Sequence, residues 1–268
     1  MKEGQCDLMS FVETNVPWHK NDFLYDISVV NKTIWPTPTK TLAASCRSEI
    51  KCSKMYQPGG VMNIVANSLT TKIQSTTSDF LGRWTKVPFF AKGGAFVVYS
   101  VYRLNPATLA SAGINSCWMQ QYRHLSKKNK QVNPRNKLIL DLIDDINTER
   151  IMKSQIMVVE DFNEDMSDND DNGIHTLMTS TELVQVFQEL KTKIPSTRGN
   201  GRAIDHVFMT KESLQYITQA GLVPEEICFA SDHIGIFVDL SPKILAENNP
   251  PIALAPHRKL KIHNVPNV

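Results

Sequence analysis

Apolar runs in this chain are short and are punctuated by glycine, proline and asparagine. Residues 7–13 read as a short buried strand that ends on a carboxylate. Residues 31–53 are rich in Thr, Pro, Ser and Lys, which predicts an irregular loop region. Pro58-Gly59-Gly60 is a turn, and residues 61–66 after it form a strand-like run. Gly93-Gly94 is a second turn. It leads into residues 95–102, where β-branched and aromatic residues give the clearest strand in the chain.

Helical periodicity begins at Asn133-Pro134, an Asn cap followed by Pro at the first helical position. Leu138, Ile139, Leu142, Ile143 and Ile146 then form one apolar stripe. Residues 155–159 make a strand that delivers Glu160 and Asp161 at its C-terminal end. Thr179 and Glu182 have capping-box spacing and predict a second helix, with Leu183, Val186, Phe187 and Leu190 as its stripe. Residues 203–209 and 234–240 are two later strands. Strands and helices are mixed and the turns are short, so the pattern predicts an α/β or α+β sandwich. The expected division is one domain over 1–244 and an extended tail over 245–268, with Pro250, Pro251, Pro256 and Pro266.

Composition changes this picture little. The 268 residues suffice for a sizeable core. A net charge of +2 makes any nucleic-acid surface a local patch. The cysteines Cys6, Cys46, Cys52, Cys117 and Cys228 are odd in number and lack CxxC spacing. That argues against a structural zinc site or a disulfide scaffold, and for reduced thiols. No apolar run approaches the roughly 20 residues that span a bilayer. The first residues, Met1-Lys2-Glu3-Gly4-Gln5, have no signal-peptide pattern. The expectation is an intracellular protein of nucleus or cytoplasm, away from membranes.

Polar residues collect at strand ends. Glu13 closes the first strand, Asp161 and Asn163 follow the 155–159 strand, and Asp232-His233 opens the last one. Asp205 lies within the apolar run Ala203-Ile204-Asp205-His206-Val207-Phe208-Met209. An unpaired carboxylate there would cost on the order of several kcal/mol, so it needs a cation, a histidine or hydrogen-bond donors. One such Asp alone reads as a turn former. Four such sites in order suit hydrolysis of a phosphodiester, in which a divalent cation neutralises the phosphate and the leaving oxygen. Glu13 is a suitable ligand for Mg²⁺. Asp161 can activate water, Asn163 can orient the nucleophile or phosphate, and His233 held by Asp205 can donate to a phosphate oxygen.

The ordered set comprises Phe11-Val12-Glu13-Thr14-Asn15, Ser100-Val101-Tyr102-Arg103, Glu160-Asp161-Phe162-Asn163, Arg202-Ala203-Ile204-Asp205-His206 and Ser231-Asp232-His233. It resembles the endonuclease/exonuclease/phosphatase superfamily of apurinic/apyrimidinic endonucleases and DNase I. Further motifs are Gly82-Arg83-Trp84, Gln120-Gln121, Asn133-Pro134-Arg135, Thr197-Arg198-Gly199 and Arg258-Lys259-Leu260-Lys261. Their arrangement is similar to the endonuclease-like domains of eukaryotic retroelement (retrotransposon) open reading frames. The resemblance implies a DNase I-like four-layer α/β sandwich with two facing mixed β-sheets flanked by helices. It implies Glu13 as metal ligand with Asp232 beside the metal, Mg²⁺ or Mn²⁺ as cofactor, and DNA as partner. It assigns Tyr102 to the scissile phosphate, Asp161 and Asn163 to the nucleophile, and Asp205 to orienting His233. The expected activity is that of a metal-dependent DNA endonuclease. Alternatives are a degenerate domain that keeps the fold and a phosphatase for a small or lipid-linked phosphoester.

Two departures from the family pattern stand out. An Asn-bearing strand that precedes the Glu strand has no counterpart before Asp7, which implies an exposed sheet edge. Glu160 stands where the family has Gly, which adds like charge beside Asp161. Other features read as structural. Asp168-Asn169-Asp170-Asp171-Asn172-Gly173 lacks the bidentate Glu of a calcium loop, since Thr179 occupies that position. His124 and His175 have no ligand-spaced partner, and Trp84 and Trp118 suit a core. Lys127, Lys128, Lys130 and Arg135 read as a solvated basic loop, with phosphate contact as the alternative.

Overall fold

The computed structural model describes residues 6–47, 56–91, 93–127, 132–168, 173–198, 201–223 and 231–245; the side chains of Asn21 and Glu160 are excepted. Strands β4 (Thr77–Ser78), β5 (Trp84–Ala91), β6 (Gly94–Tyr102), β7 (Gln155–Asp161), β8 (Leu183–Gln185) and β9 (Asp205–Thr210) form a six-stranded sheet in the order β4-β5-β6-β7-β9-β8. It is mixed: β6 and β7 are parallel, and the other pairs are antiparallel. Strands β1 (Leu8–Val12), β2 (Thr39–Ala44) and β3 (Val61–Ala66) form a second sheet, β1-β3-β2. Strands β10 (Ile217–Leu222) and β11 (Ile236–Leu240) pair separately.

Side-chain alternation explains the layers. On one face of the large sheet, Val97, Tyr99, Val101, Ile156, Val158 and Phe208 share a buried cluster with Leu138, Leu142 and Ile146 of helix α3 (Pro134–Ile151) and with Ile174 and Leu177 of helix α4 (Gly173–Thr181). The intervening residues Phe96, Val98, Met157 and Val207 pack on the opposite face with Leu8, Leu42, Val65, Ile236 and Val238. Helix α1 (Asn21–Ile34) closes the far side, with Phe23, Leu24 and Ile27 against Met62 and Ile64. The result is helix, sheet, sheet, helix, as the resemblance implies.

Several expectations hold in detail. Asn133 Oδ1 accepts from the Arg135 backbone N–H (2.9 Å), with Pro134 opening α3. Trp84 and Trp118 are buried. No helix among the described residues is long and apolar enough to cross a membrane.

Other expectations fail. The supposed loop over 31–53 holds the end of α1 and all of β2. Asn31 is buried and its Nδ2 donates to Thr41 Oγ1 (2.8 Å), so polar residues there serve tertiary contacts. The helix expected to begin at Thr179 does not form: Thr179 lies near the C-terminal end of α4, which stops at Thr181, and Glu182 then adopts φ 54°. Leu183 and Val184 then belong to β8, and Val186 opens the four-residue helix α5 (Val186–Glu189). Gln185 caps this turn, and Leu190 is exposed. Arg135 is not on a solvated loop: it is buried and donates to the Leu104 carbonyl. Helix α2 (Cys117–Ser126) and strands β5 and β10 had no reading from the pattern. Asn169 to Asn172, Lys128, Lys130, Cys52, Cys228 and the tail from 246 lie outside the described residues.

Candidate active site

Strand register gathers the site. Tyr102 is the register partner of Asp161, and Asp161 is the partner of Asp205. The three residues thus form one row across β6, β7 and β9, on the face that looks toward the second sheet. Alternation places them there because Val101 and Val158 turn to the α3 side.

The Asp161 turn is tightly held. The Asn163 backbone N–H donates to Asp161 Oδ1 (2.9 Å), and Asn163 Nδ2 donates to Asp161 Oδ2 (3.1 Å) and to the Arg103 carbonyl (2.8 Å). Asn163 sits at φ 49°, a left-handed conformation that Asn tolerates better than most residues. Phe162 anchors the turn: it is buried and meets Phe208 edge-on at 5.3 Å. Beneath it, the buried Arg103 guanidinium pairs with the buried Glu164 carboxylate. Glu164 Oε1 also accepts from the Ile174 N–H (3.2 Å), and its carbonyl lies 2.9 Å from His206 Nε2.

Glu13 enters on a second element. Glu13 and Asn15 both have positive φ, 50° and 56°. The glycine turn fixes them: Thr14 N–H donates to the Gly60 carbonyl (3.2 Å) and Asn15 N–H to the Gly59 carbonyl (2.8 Å). Asn15 Oδ1 accepts from Gly59 N–H (3.0 Å). Gly59 itself has φ +84°, and a Cβ there would lie 2.6 Å from Cys117 Sγ. Its identity follows from that close approach.

His233 closes the site. Its Nδ1 lies 2.9 Å from Asp205 Oδ2. That bond leads the effects holding the imidazole in its charged form, and its pKa rises to about 9. Thr197 orients the other partner, since its Oγ1 accepts from the Asp205 N–H (3.3 Å). Asp232 is 72% exposed, with Oδ2 3.2 Å from Arg198 Nη2.

Asp161 is 2% exposed, and burial, then the charge of Asp205, pushes its pKa up to about 7. Glu13 adds to that rise. Burial, then the Glu13 charge, also raises Tyr102, which hydrogen-bonds Glu13 and stays a neutral phenol at ordinary pH.

Asp161, Asp205 and His233 place ligand-type atoms within 4.8 Å of one another. Glu13 and Asp232 stand outside that trio, at its edge: Glu13 through Tyr102 and Asp161, Asp232 with its Oδ1 4.0 Å from His233 Nε2. Carboxylates crowded closely enough that Asp205 and Glu13 raise the pKa of Asp161 suit a hard divalent cation such as Mg²⁺ or Mn²⁺. Arg103, Glu164 and Thr197 are supporting residues to which the sequence pattern gave no role. Arg103 and Thr197 lie in the quoted motifs, but only coordinates reveal their contacts.

No protein-family model and no curated protein matches the chain. Solved structures do. A 3′-5′ exonuclease (NExo) from Neisseria meningitidis superposes with TM-score 0.60 at 13% identity, over 89% of this chain and 91% of that one. The AP endonuclease LMAP from Leishmania major gives TM-score 0.59 at 12% identity, over 87% and 77%. The APE2 catalytic domain from Xenopus laevis gives TM-score 0.58 at 14% identity, over 92% and 87%. The chain has the DNase I-like mixed α/β fold that these exonuclease and AP endonuclease structures share.

Proposed function

We propose that this chain is a Mg²⁺- or Mn²⁺-dependent phosphodiesterase of the endonuclease/exonuclease/phosphatase type, with its chemistry at Asp161, Asn163, Tyr102, Asp205 and His233. The observation that carries the reading is the Tyr102-Asp161-Asp205 row, with His233 hydrogen-bonded to Asp205 at its end. Glu13 and Asp232 would hold the cation. When bound, the metal would neutralise charge on the phosphate and the leaving oxygen.

The chain's own groups supply the rest. Asp161, poised at about pH 7, takes a proton from water near neutral pH. Asn163 fixes the direction of that carboxylate through its two hydrogen bonds. His233 is charged below about pH 9 and donates from Nε2 to a phosphate oxygen. Asp205 holds its Nδ1 and keeps the ring aimed. Tyr102 keeps its phenolic proton and offers it to the phosphate.

The substrate we infer is DNA cleaved internally. The ordered motifs support it, as does the fold shared with an AP endonuclease. The further motifs, among them Gly82-Arg83-Trp84, Asn133-Pro134-Arg135 and Thr197-Arg198-Gly199, support an origin in a retroelement. A second reading, phosphate removal from a DNA 3′ end, is favoured by likeness to a Neisseria 3′ phosphatase bound to product DNA hairpin (TM-score 0.57, 12% identity, over 89% of this chain and 90% of that one). Supercoiled plasmid and a 3′-phosphorylated duplex, each with Mg²⁺ or Mn²⁺, separate the two. Nicked plasmid supports the endonuclease, and phosphate release alone supports the phosphatase. No turnover of either with either metal rejects both.

A further inference from the structure

The segments that lead into β9 and β11 meet at the rim of the site. Arg198 and His233 are antiparallel bridge partners, so their side chains stand side by side on one face. The backbone around Arg198 is held on both sides. Ile234 N–H donates to the Thr197 carbonyl (2.7 Å), Thr197 N–H to the Arg202 carbonyl (3.2 Å), and Gly201 N–H to the Arg198 carbonyl (3.0 Å). Thr197 Oγ1 accepts from the Asp205 N–H, which ties the same segment to the residue that holds His233. Arg198 is thus rooted beside the imidazole, whereas Arg202 turns to Asp168.

A carboxylate lies between the guanidinium and the imidazole. Asp232 Oδ2 accepts from Arg198 Nη2 (3.2 Å), and Asp232 Oδ1 lies 4.0 Å from His233 Nε2. A turn brings Asp232 there, in which the His233 N–H donates to Ser231 Oγ (3.1 Å). Asp205 engages Nδ1 at 2.9 Å, so Nε2 is the ring nitrogen that faces an incoming anion. Carboxylate and phosphate offer a guanidinium the same kind of paired oxygens. Asp232 therefore stands where a phosphate bound by Arg198 and His233 would stand. The Arg198 and Asp232 side chains are 39% and 72% exposed, and salt bridges in such surroundings are weak. A hard divalent cation, which favours carboxylate oxygens, competes for Asp232 on good terms.

We propose that Arg198 and His233 together form a phosphate-binding pair, that Asp232 closes it as an internal competitor, and that a divalent cation which draws Asp232 away opens it to the substrate phosphate. The inference rests on the reading of Asp232 as a cation ligand. It adds Arg198 as a residue that touches substrate, and an order of binding, cation before phosphate. By linkage, each of the two then strengthens the binding of the other.

Inorganic phosphate is the probe, and its affinity is read at neutral pH from the NMR shift of the His233 imidazole. Arg198→Gln is measured in three settings: the unaltered chain in EDTA, Asp232→Asn in EDTA, and the unaltered chain with Mg²⁺. Both positions are exposed, so neither substitution threatens the fold. In EDTA, Asp232→Asn alone should bind phosphate at least ~5-fold tighter than the unaltered chain. Arg198→Gln should change the affinity of the unaltered chain in EDTA by less than ~2-fold, because Asp232 already engages the guanidinium. It should weaken binding at least ~5-fold in the other two settings, and this non-additivity is the signature of direct competition. An equal penalty in EDTA with and without Asp232 means that the charges act only through space, and overturns the proposal. So does a failure of Asp232→Asn to bind phosphate. A penalty that appears in Asp232→Asn but not with Mg²⁺ upholds the Arg198 site and overturns the opening by a cation, together with the reading of Asp232 as its ligand.

Discussion

Replacing Asp161 with Asn should stabilise the metal-free protein at alkaline pH and destabilise it in acid. The folded protein holds this carboxyl's pKa at about 7, above its ordinary 3.8, first through burial and then through the Asp205 charge. A folded-state pKa above the unfolded one means that the fold favours the protonated form. The penalty is absent below about pH 4, grows as pH rises, and is complete above pH 7. At roughly 1.36 kcal/mol per tenfold, the rise corresponds to at most about 4 kcal/mol. Asn removes the charge but has one acceptor oxygen where Asp161 uses two, for the Asn163 N–H and Nδ2. Losing one bond costs about 1–2 kcal/mol. The net gain at pH 8 is about 2 kcal/mol, a Tm rise of roughly 4–8 °C for a domain of this size. At pH 4 only the lost hydrogen bond remains, and the variant is about 1–2 kcal/mol less stable. Thermal or urea unfolding in EDTA at both pH values reads the change of sign. Destabilisation by Asp161→Asn at pH 8 as well as pH 4 would refute the claim that like charge and burial strain this carboxylate.

Three further predictions concern other parts of the site. The His233 imidazole should titrate near pH 9 by NMR in the metal-free protein, and Asp205→Asn should bring it back toward 6.5. Because its folded pKa is raised, its stabilising effect is complete below about pH 6.5 and lost as pH climbs through 9; an unshifted His233 would contradict the pairing. Glu164→Gln removes a carboxylate that pairs with the buried Arg103 charge and should cost about 3–5 kcal/mol in urea unfolding. A cost below about 1 kcal/mol would mean that the pair does not brace the Asp161 turn. Gly59→Ala combines φ +84° with a Cβ 2.6 Å from Cys117 Sγ, and should destabilise by about 1–3 kcal/mol. Cys117→Ala should relieve only part of this, since the backbone strain remains; complete rescue would show that the contact alone fixes the glycine.

The fold was legible where sequence period and burial coincide. β3 and β6 were readable as apolar runs bounded by turns, because they are buried on both faces, and α3 because its apolar residues repeat at helical spacing. α1 was hidden: Tyr25, Val29, Val30 and Ile34 are exposed while Asn31 is buried, so its pattern blurs. The expected second helix failed because Thr179, at capping-box spacing from Glu182 in sequence, lies inside α4, and the backbone reverses at Glu182. Asp161, Asn163, Asp205 and His233 were readable as polar residues in strand-end motifs, and register brings them together. Arg103 and Glu164 were not, because a buried ion pair between residues 61 apart leaves no periodic trace. Glu13 and Asp232 were equally visible, yet they stand at the rim of the trio that clusters most tightly.

Magnesium-dependent nicking of supercoiled plasmid by the unaltered chain, Asp161→Asn and His233→Ala tests the central claim most directly. The account predicts nicking that requires Mg²⁺ or Mn²⁺ and vanishes in EDTA. It also predicts a loss of at least ~100-fold in each variant, with Asp161→Asn still folded. Equal nicking by all three proteins would contradict it.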